Sequence, residues 1–180
     1  MKILKKPSKR GWGYIIPTLF LIAGAIFLFY KSNGGISPIS GLLGGGYKSA
    51  GYFHGGKMTK GLDVRSIRWS DKHNGFERVV LDVYIWHGVF DNTPYQKSNR
   101  VGLYQIGKEE KGSVHLDGEL SGYRAFSAKL PSFSKSKFIK KMQVIPNNEN
   151  SFYFTLTLKK PAIYKVFTLK NPARIVIDLK

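Results

Sequence analysis

From Leu62 to the C-terminus, the chain shows a series of short runs in which apolar side chains recur at every second position, and no stretch repeats them at the spacing of an amphipathic helix. That alternation restricts the chain to strands with one buried and one solvent-facing side. Val79, Leu81, Val83 and Ile85 fall on one face of such a strand, with Arg78, Asp82 and Tyr84 on the other. Phe152, Phe154, Leu156 and Leu158 alternate with Tyr153, Thr155 and Thr157, and Ile175, Ile177 and Leu179 alternate with Arg174, Val176 and Asp178. Weaker alternation marks residues 66–69, 101–106, 123–130, 138–145 and 163–169. Turn-forming residues separate these runs: His73-Asn74-Gly75, Asp117-Gly118, Pro146-Asn147-Asn148 and Asn171-Pro172. About eight short strands with frequent turns predict an all-β domain over residues 62–180, a sandwich or a barrel.

One internal repeat stands out within it. Arg78-Val79-Val80-Leu81-Asp82-Val83 matches Arg174-Ile175-Val176-Ile177-Asp178-Leu179 position by position. Two copies suggest two matching sheets, or two halves of one sandwich.

Upstream of the β-rich region, residues 11–30 carry no charged side chain. Twenty residues at a helical rise span roughly 30 Å, the thickness of a bilayer core. Lys2, Lys5, Lys6, Lys9 and Arg10 precede the run, so residues 1–10 read as a basic cytoplasmic tail and 11–30 as a single transmembrane anchor. A cleavable signal peptide is the competing reading, with its best site after Ala23-Gly24-Ala25. Cleavage there would leave Ile26-Phe27-Leu28-Phe29-Tyr30 bare at the new terminus, which favours the uncleaved anchor. Residues 31–61 hold ten glycines and no acidic residue, the composition of a linker. A coil of that length has an r.m.s. span of about 30 Å and a reach of about 100 Å. This topology places the folded domain outside the cytoplasm, on a bacterial inner membrane, in the periplasm or its equivalent.

The chain has no cysteine, which excludes a lipoprotein anchor, disulfides, thiol catalysis and cysteine-based zinc sites. Five of the 29 basic residues precede the anchor, so 24 basic against 11 acidic residues lie in 31–180, a net +13. A field of that sign attracts anionic partners, among them lipid headgroups, cell-wall polymers and peptide carboxylates, or else it only confers solubility. Nucleic acid has no support beyond this nonspecific attraction.

The stretches Val64-Arg65-Ser66-Ile67-Arg68-Trp69 and Gly75-Phe76-Glu77-Arg78-Val79-Val80-Leu81-Asp82-Val83 resemble the opening of an AMIN domain. The run from Tyr164 to Leu179, with Val166-Phe167-Thr168-Leu169-Lys170-Asn171-Pro172-Ala173-Arg174 at its centre, is similar to the closing strands of that family and is the more specific match. Together they cover about a third of the exported region, and the segment from about Trp86 to Asn150 matches no part of the family pattern. The resemblance implies a two-sheet β-sandwich without catalytic function that binds peptidoglycan, as in modules that precede cell-wall amidases and type IV pilus secretins. Cell-division, amidase, pilus or secretion proteins would then be its partners.

Arg78, Asp82, Arg174 and Asp178 lie on the less apolar faces of their strands. An arginine fork suits ligand carboxylates, but charges embedded in apolar strands also pair with one another across a sheet. Trp69, Phe76, Tyr84 and Trp86 offer rings either to sugars or to the core, with Trp86, at a strand end beside His87-Gly88, the best placed for a ligand. Lys135, Lys137, Lys140 and Lys141, interleaved with Phe133 and Phe138, form the densest basic patch, which either meets an anionic surface or is simply solvated. Glu109, Glu110, Asp117 and Glu119 read as an exposed hairpin loop rather than a carboxylate pair for glycoside cleavage. The four histidines share no ligand spacing, and neither His-Glu-x-x-His nor Gly-x-Ser-x-Gly occurs, so the sequence implies no metal, no cofactor and no enzyme. Two functions follow: a membrane-anchored module that binds peptidoglycan and positions an envelope complex, or a protein-binding structural subunit of a pilus, secretion or flagellar machine.

Overall fold

In the computed structural model, residues 46–73, 75–88 and 94–180 are described. The basic tail, the anchor at 11–30 and the first part of the linker lie outside the described residues. Among the described residues no helix is long and apolar enough to cross a membrane.

The described chain is all-β and forms two sheets of five strands each. In sequence order the strands are β1 (Gly51–Gly55), β2 (Leu62–His73), β3 (Phe76–Ile85), β4 (Leu103–Lys108), β5 (His115–Ser121), β6 (Tyr123–Ala125), β7 (Ile139–Asn148), β8 (Ser151–Leu158), β9 (Tyr164–Leu169) and β10 (Arg174–Leu179). Sheet I has the order β6-β2-β3-β10-β9, and sheet II the order β1-β4-β5-β8-β7.

The alternation read from sequence decides which side of each strand is buried. Val79, Leu81 and Val83 of β3 and Ile175 and Ile177 of β10 are fully buried, as are Ile106, Leu116, Leu120 and Leu156 of sheet II, and all belong to one apolar core. Each such side chain stabilises the fold by roughly 1.5–3 kcal/mol relative to exposure.

Four sequence expectations are corrected here. The Gly-rich linker does not extend to residue 61, because Gly51–Gly55 pairs antiparallel with β4 along its whole length. Phe53 packs on the core, and Gly55 leaves room for the Tyr104 side chain, whose hydroxyl a Cβ there would meet at 2.5 Å and whose ring it would meet at 2.7 Å. Asp117-Gly118 is not a turn but the middle of β5, where Gly118 lies against the Phe154 ring. Asp117 and Glu119 therefore stand on the strand, and only Glu109 and Glu110 fall in the β4–β5 connection. Strand pairing beyond Tyr123 stops at Ala125, and residues 126–138 cross over as irregular chain. Finally, the two repeat copies do not head separate sheets: β3 and β10 are antiparallel neighbours within sheet I.

Two hydrogen-bonded corners join the sheets. Near the start of the described chain, Lys48 and Tyr164 exchange backbone hydrogen bonds of 2.8 and 2.9 Å. There the Tyr164 hydroxyl accepts from the Lys108 N–H at 3.0 Å and donates to the Gly51 carbonyl. At the second corner, the N–H groups of Gly122 and Tyr123 both donate to the Asn150 carbonyl.

Candidate functional site

Because β3 and β10 pair antiparallel, the repeat is crossed on itself. Arg78 stands opposite Asp178, and Asp82 opposite Arg174. The inward residues between them fill the core, so all four charged side chains share the outer face of sheet I. The Arg78 guanidinium donates through Nε to Asp178 Oδ1 at 2.7 Å and through Nη2 to Oδ2 at 2.8 Å. That hydrogen bonding, more than the neighbouring charge, holds Arg78 above its usual pKa against the opposing effect of burial.

The second cross-strand pair does not close in the same way. Asp82 is taken by Arg68 of β2, through Nε to Oδ2 and Nη2 to Oδ1, both at 2.8 Å. Here too the side-chain hydrogen bond raises the arginine's pKa. Arg174 donates its Nε to the Pro172 carbonyl at 3.2 Å, and among the described residues no carboxylate pairs with it. Three guanidiniums thus meet two carboxylates on this face, and Lys165, in register with Asp178 on β9, adds a further positive charge. Sequence reading missed Arg68, although Ile67 and Trp69 beside it mark position 68 as outward-facing.

The three arginines edge a shallow depression of about 240 Å³. Half-buried Val80 and Leu169 give it an apolar surface above fully buried Val176, and Ser70 and His73 also line it. Beside it, the His73 and Phe76 rings stack at 4.8 Å and 4°, and the Arg78 guanidinium lies 5.2 Å from the Phe76 ring and 5.5 Å from that of Phe167. The arrangement is suited to hold an anion attached to a flat or apolar body.

Trp86 is not part of this site. It lies one residue beyond β3 and lines no part of the depression; at a strand rise it is about 26 Å from Arg78 and about 13 Å from Asp82. Its backbone N–H donates to the Gly61 carbonyl at 2.8 Å. Trp69, in contrast, lines the depression, packs edge-on against Phe133 at 6.2 Å, and donates its Nε1–H to Glu77 at 3.2 Å.

Lys135, Lys137, Lys140 and Lys141 are all exposed. The first two ride on the 126–138 crossover, and the last two on β7, an edge strand of sheet II. Charged side chains on an edge strand also discourage strand addition by other chains. Buried Glu77 fixes this crossover, accepting hydrogen bonds from the Ser136 hydroxyl and the Lys137 N–H. Buried Asp63 does the same at the other end, accepting from the Ser127 N–H at 3.0 Å and from its hydroxyl.

Among the described residues no cluster of three His, Asp or Glu side chains is placed to hold a metal ion. No protein-family model, no curated protein and no solved structure matches the chain.

Proposed function

We propose that the chain is a membrane-anchored, extracytoplasmic AMIN-like module that binds peptidoglycan and positions a cell-envelope complex. In this reading residues 11–30 span the bacterial inner membrane, the two sheets stack as a β-sandwich, and the module works by binding rather than catalysis. The observation that carries it is the outer face of sheet I, where Arg68, Arg78 and Arg174 edge a depression with an apolar surface. Peptidoglycan supplies what such a face attracts: stem-peptide carboxylates for the guanidiniums and apolar faces for the aromatic and aliphatic groups. The net +13 of residues 31–180 draws the module toward the anionic wall.

The test is co-sedimentation of the full-length protein, in non-ionic detergent, with purified sacculi across a salt series. Saturable binding that persists at high salt supports the reading. Binding abolished by modest salt is charge attraction alone and counts against it.

A second reading is a protein-binding subunit of a pilus, secretion or flagellar machine, and the outer face of sheet II favours it. There the ladder sets Tyr52 and His54, Gly107 and Gln105, Asp117 and Glu119, and Thr155 and Tyr153 side by side across four strands. A flat face of tyrosines, amides and carboxylates on a basic domain suits a protein surface. Isolation of a stoichiometric protein partner from gently solubilised membranes, with no sacculus binding, would select this reading.

A further inference from the structure

The depression on sheet I has a built-in asymmetry that narrows what it binds. The repeat supplies two arginines and two aspartates in register, Arg78 opposite Asp178 and Arg174 opposite Asp82, enough to neutralise one another. Arg68 enters from β2 and occupies both oxygens of Asp82. Arg174 is thereby left with its Nε on the Pro172 carbonyl and, among the described residues, with no hydrogen bond engaging its two Nη groups. Those groups carry four of the five N–H donors of the guanidinium, in the planar fork that fits two oxygens at once.

We propose that Arg174 is the anion-receiving residue of this chain and that its ligand is a single carboxylate carried on a short apolar body, such as the C-terminal end of a small-residue peptide. Three features select that chemistry. Asp82 and Asp178 stand on the same face, so a phosphate dianion is repelled there more strongly than a carboxylate monoanion. The fork fits a carboxylate with two parallel hydrogen bonds. Half-buried Val80 and Leu169 adjoin it and offer an apolar seat of limited volume, about 240 Å³ for the whole depression. In this arrangement Arg68 is a positioning residue: it keeps Asp82 from closing on Arg174. The inference rests on the outer face of sheet I being the ligand face, but not on the wall being the ligand's source.

The experiment is calorimetric titration of the full-length protein in non-ionic detergent with N-acetyl-alanyl-alanine, with its C-terminal amide, and with inorganic phosphate. The free acid is expected to bind at least about tenfold more tightly than either of the others, the size of a lost charge-assisted contact. Arg174→Ala and Arg174→Lys are each expected to lose about tenfold or more. Arg68→Ala is expected to lose as much although Arg174 is intact, because Asp82 then captures it. The double variant Arg68→Ala with Asp82→Asn is expected to recover to within about threefold of wild type. Equal binding of acid and amide, tighter binding of phosphate, no binding of the acid, or an Arg68→Ala variant that binds as well as wild type would each overturn the proposal. Circular dichroism melts confirm that the variants compared are folded, and the recovery in the double variant is a readout that a merely structural Arg68 would not produce. Dipeptide binding without sacculus binding would refute the wall reading and leave this inference standing; sacculus binding without dipeptide binding would do the reverse.

Discussion

Arg78 and Asp178 lie one hundred residues apart in sequence and directly opposite each other on β3 and β10, clasped by two hydrogen bonds of 2.7 and 2.8 Å. The Asp178 side chain is only 6% exposed, so Arg78 supplies hydrogen bonds that water cannot readily replace. Arg78→Ala is expected to destabilise the fold by about 2 kcal/mol, below the full cost of a deeply buried pair because the arginine is partly solvated. Replacing both residues with leucine should cost less than Arg78→Ala alone, since no orphaned carboxylate remains. Urea unfolding of the single and double variants measures both.

Glu77 predicts a local effect. It is buried in β3 and accepts hydrogen bonds from Ser136, the Lys137 N–H and Trp69 Nε1. Glu77→Gln turns one acceptor into a donor facing donors, an expected loss of about 2 kcal/mol. The crossover at 126–138 should loosen first, so trypsin should cut after Lys135 and Lys137 several times faster than in wild type while sheet pairing persists. Limited proteolysis read by mass spectrometry checks the order of events.

The tyrosines set an alkaline limit. Burial pushes the Tyr104 hydroxyl up to about 12, and burial also raises Tyr123, whose hydroxyl oxygen accepts from the Gly102 N–H at 3.2 Å. An unfolded tyrosine ionises near 10, so below that pH both states hold the proton and stability does not depend on it. Between pH 10 and 12 the unfolded chain releases protons that the folded chain keeps, and stability falls by about 1.4 kcal/mol per pH unit for each hydroxyl. Wild type and Tyr104→Phe should therefore show the same pH dependence of the denaturant midpoint up to about pH 10, and above it the midpoint should fall less steeply in Tyr104→Phe.

Gly118 marks where local sequence misleads. An added Cβ would lie 2.2 Å from the Phe154 ring on the neighbouring strand. Gly118→Val is expected to cost at least about 3 kcal/mol, by forcing that ring out of the core. A true turn at Asp117-Gly118 would have tolerated valine far better, so the thermal shift of this one variant separates the two assignments.

These residues also show what the sequence could and could not reveal. The strands with strict alternation, β3, β8 and β10, were legible because one face of each packs in the apolar core; the outer face is half-exposed in β3 and β8, while in β10 Val176 and Asp178 are covered as well. β5 and β1 were not, because Gly118 and Gly55 are there to admit Phe154 and Tyr104, aromatic side chains distant in sequence. A glycine needed for a tertiary contact looks the same in sequence as one needed for a turn. The candidate site divides similarly. The Arg and Asp positions of β3 and β10 were visible as a repeat, but their partners depend on register, and so does the arrival of Arg68 from a third strand. Trp86 had the right residue type and parity but lay too far along the strand to join the cluster.

The corner between Lys48 and Tyr164 has a mechanical consequence. Any tension that reaches the domain along the upstream chain arrives at two backbone hydrogen bonds, then at the short edge strand β1, which can be peeled from β4 one rung at a time. The arginine-rich face on β3 and β10 lies in the other sheet, so β1 can yield under load as a fuse while that face stays intact.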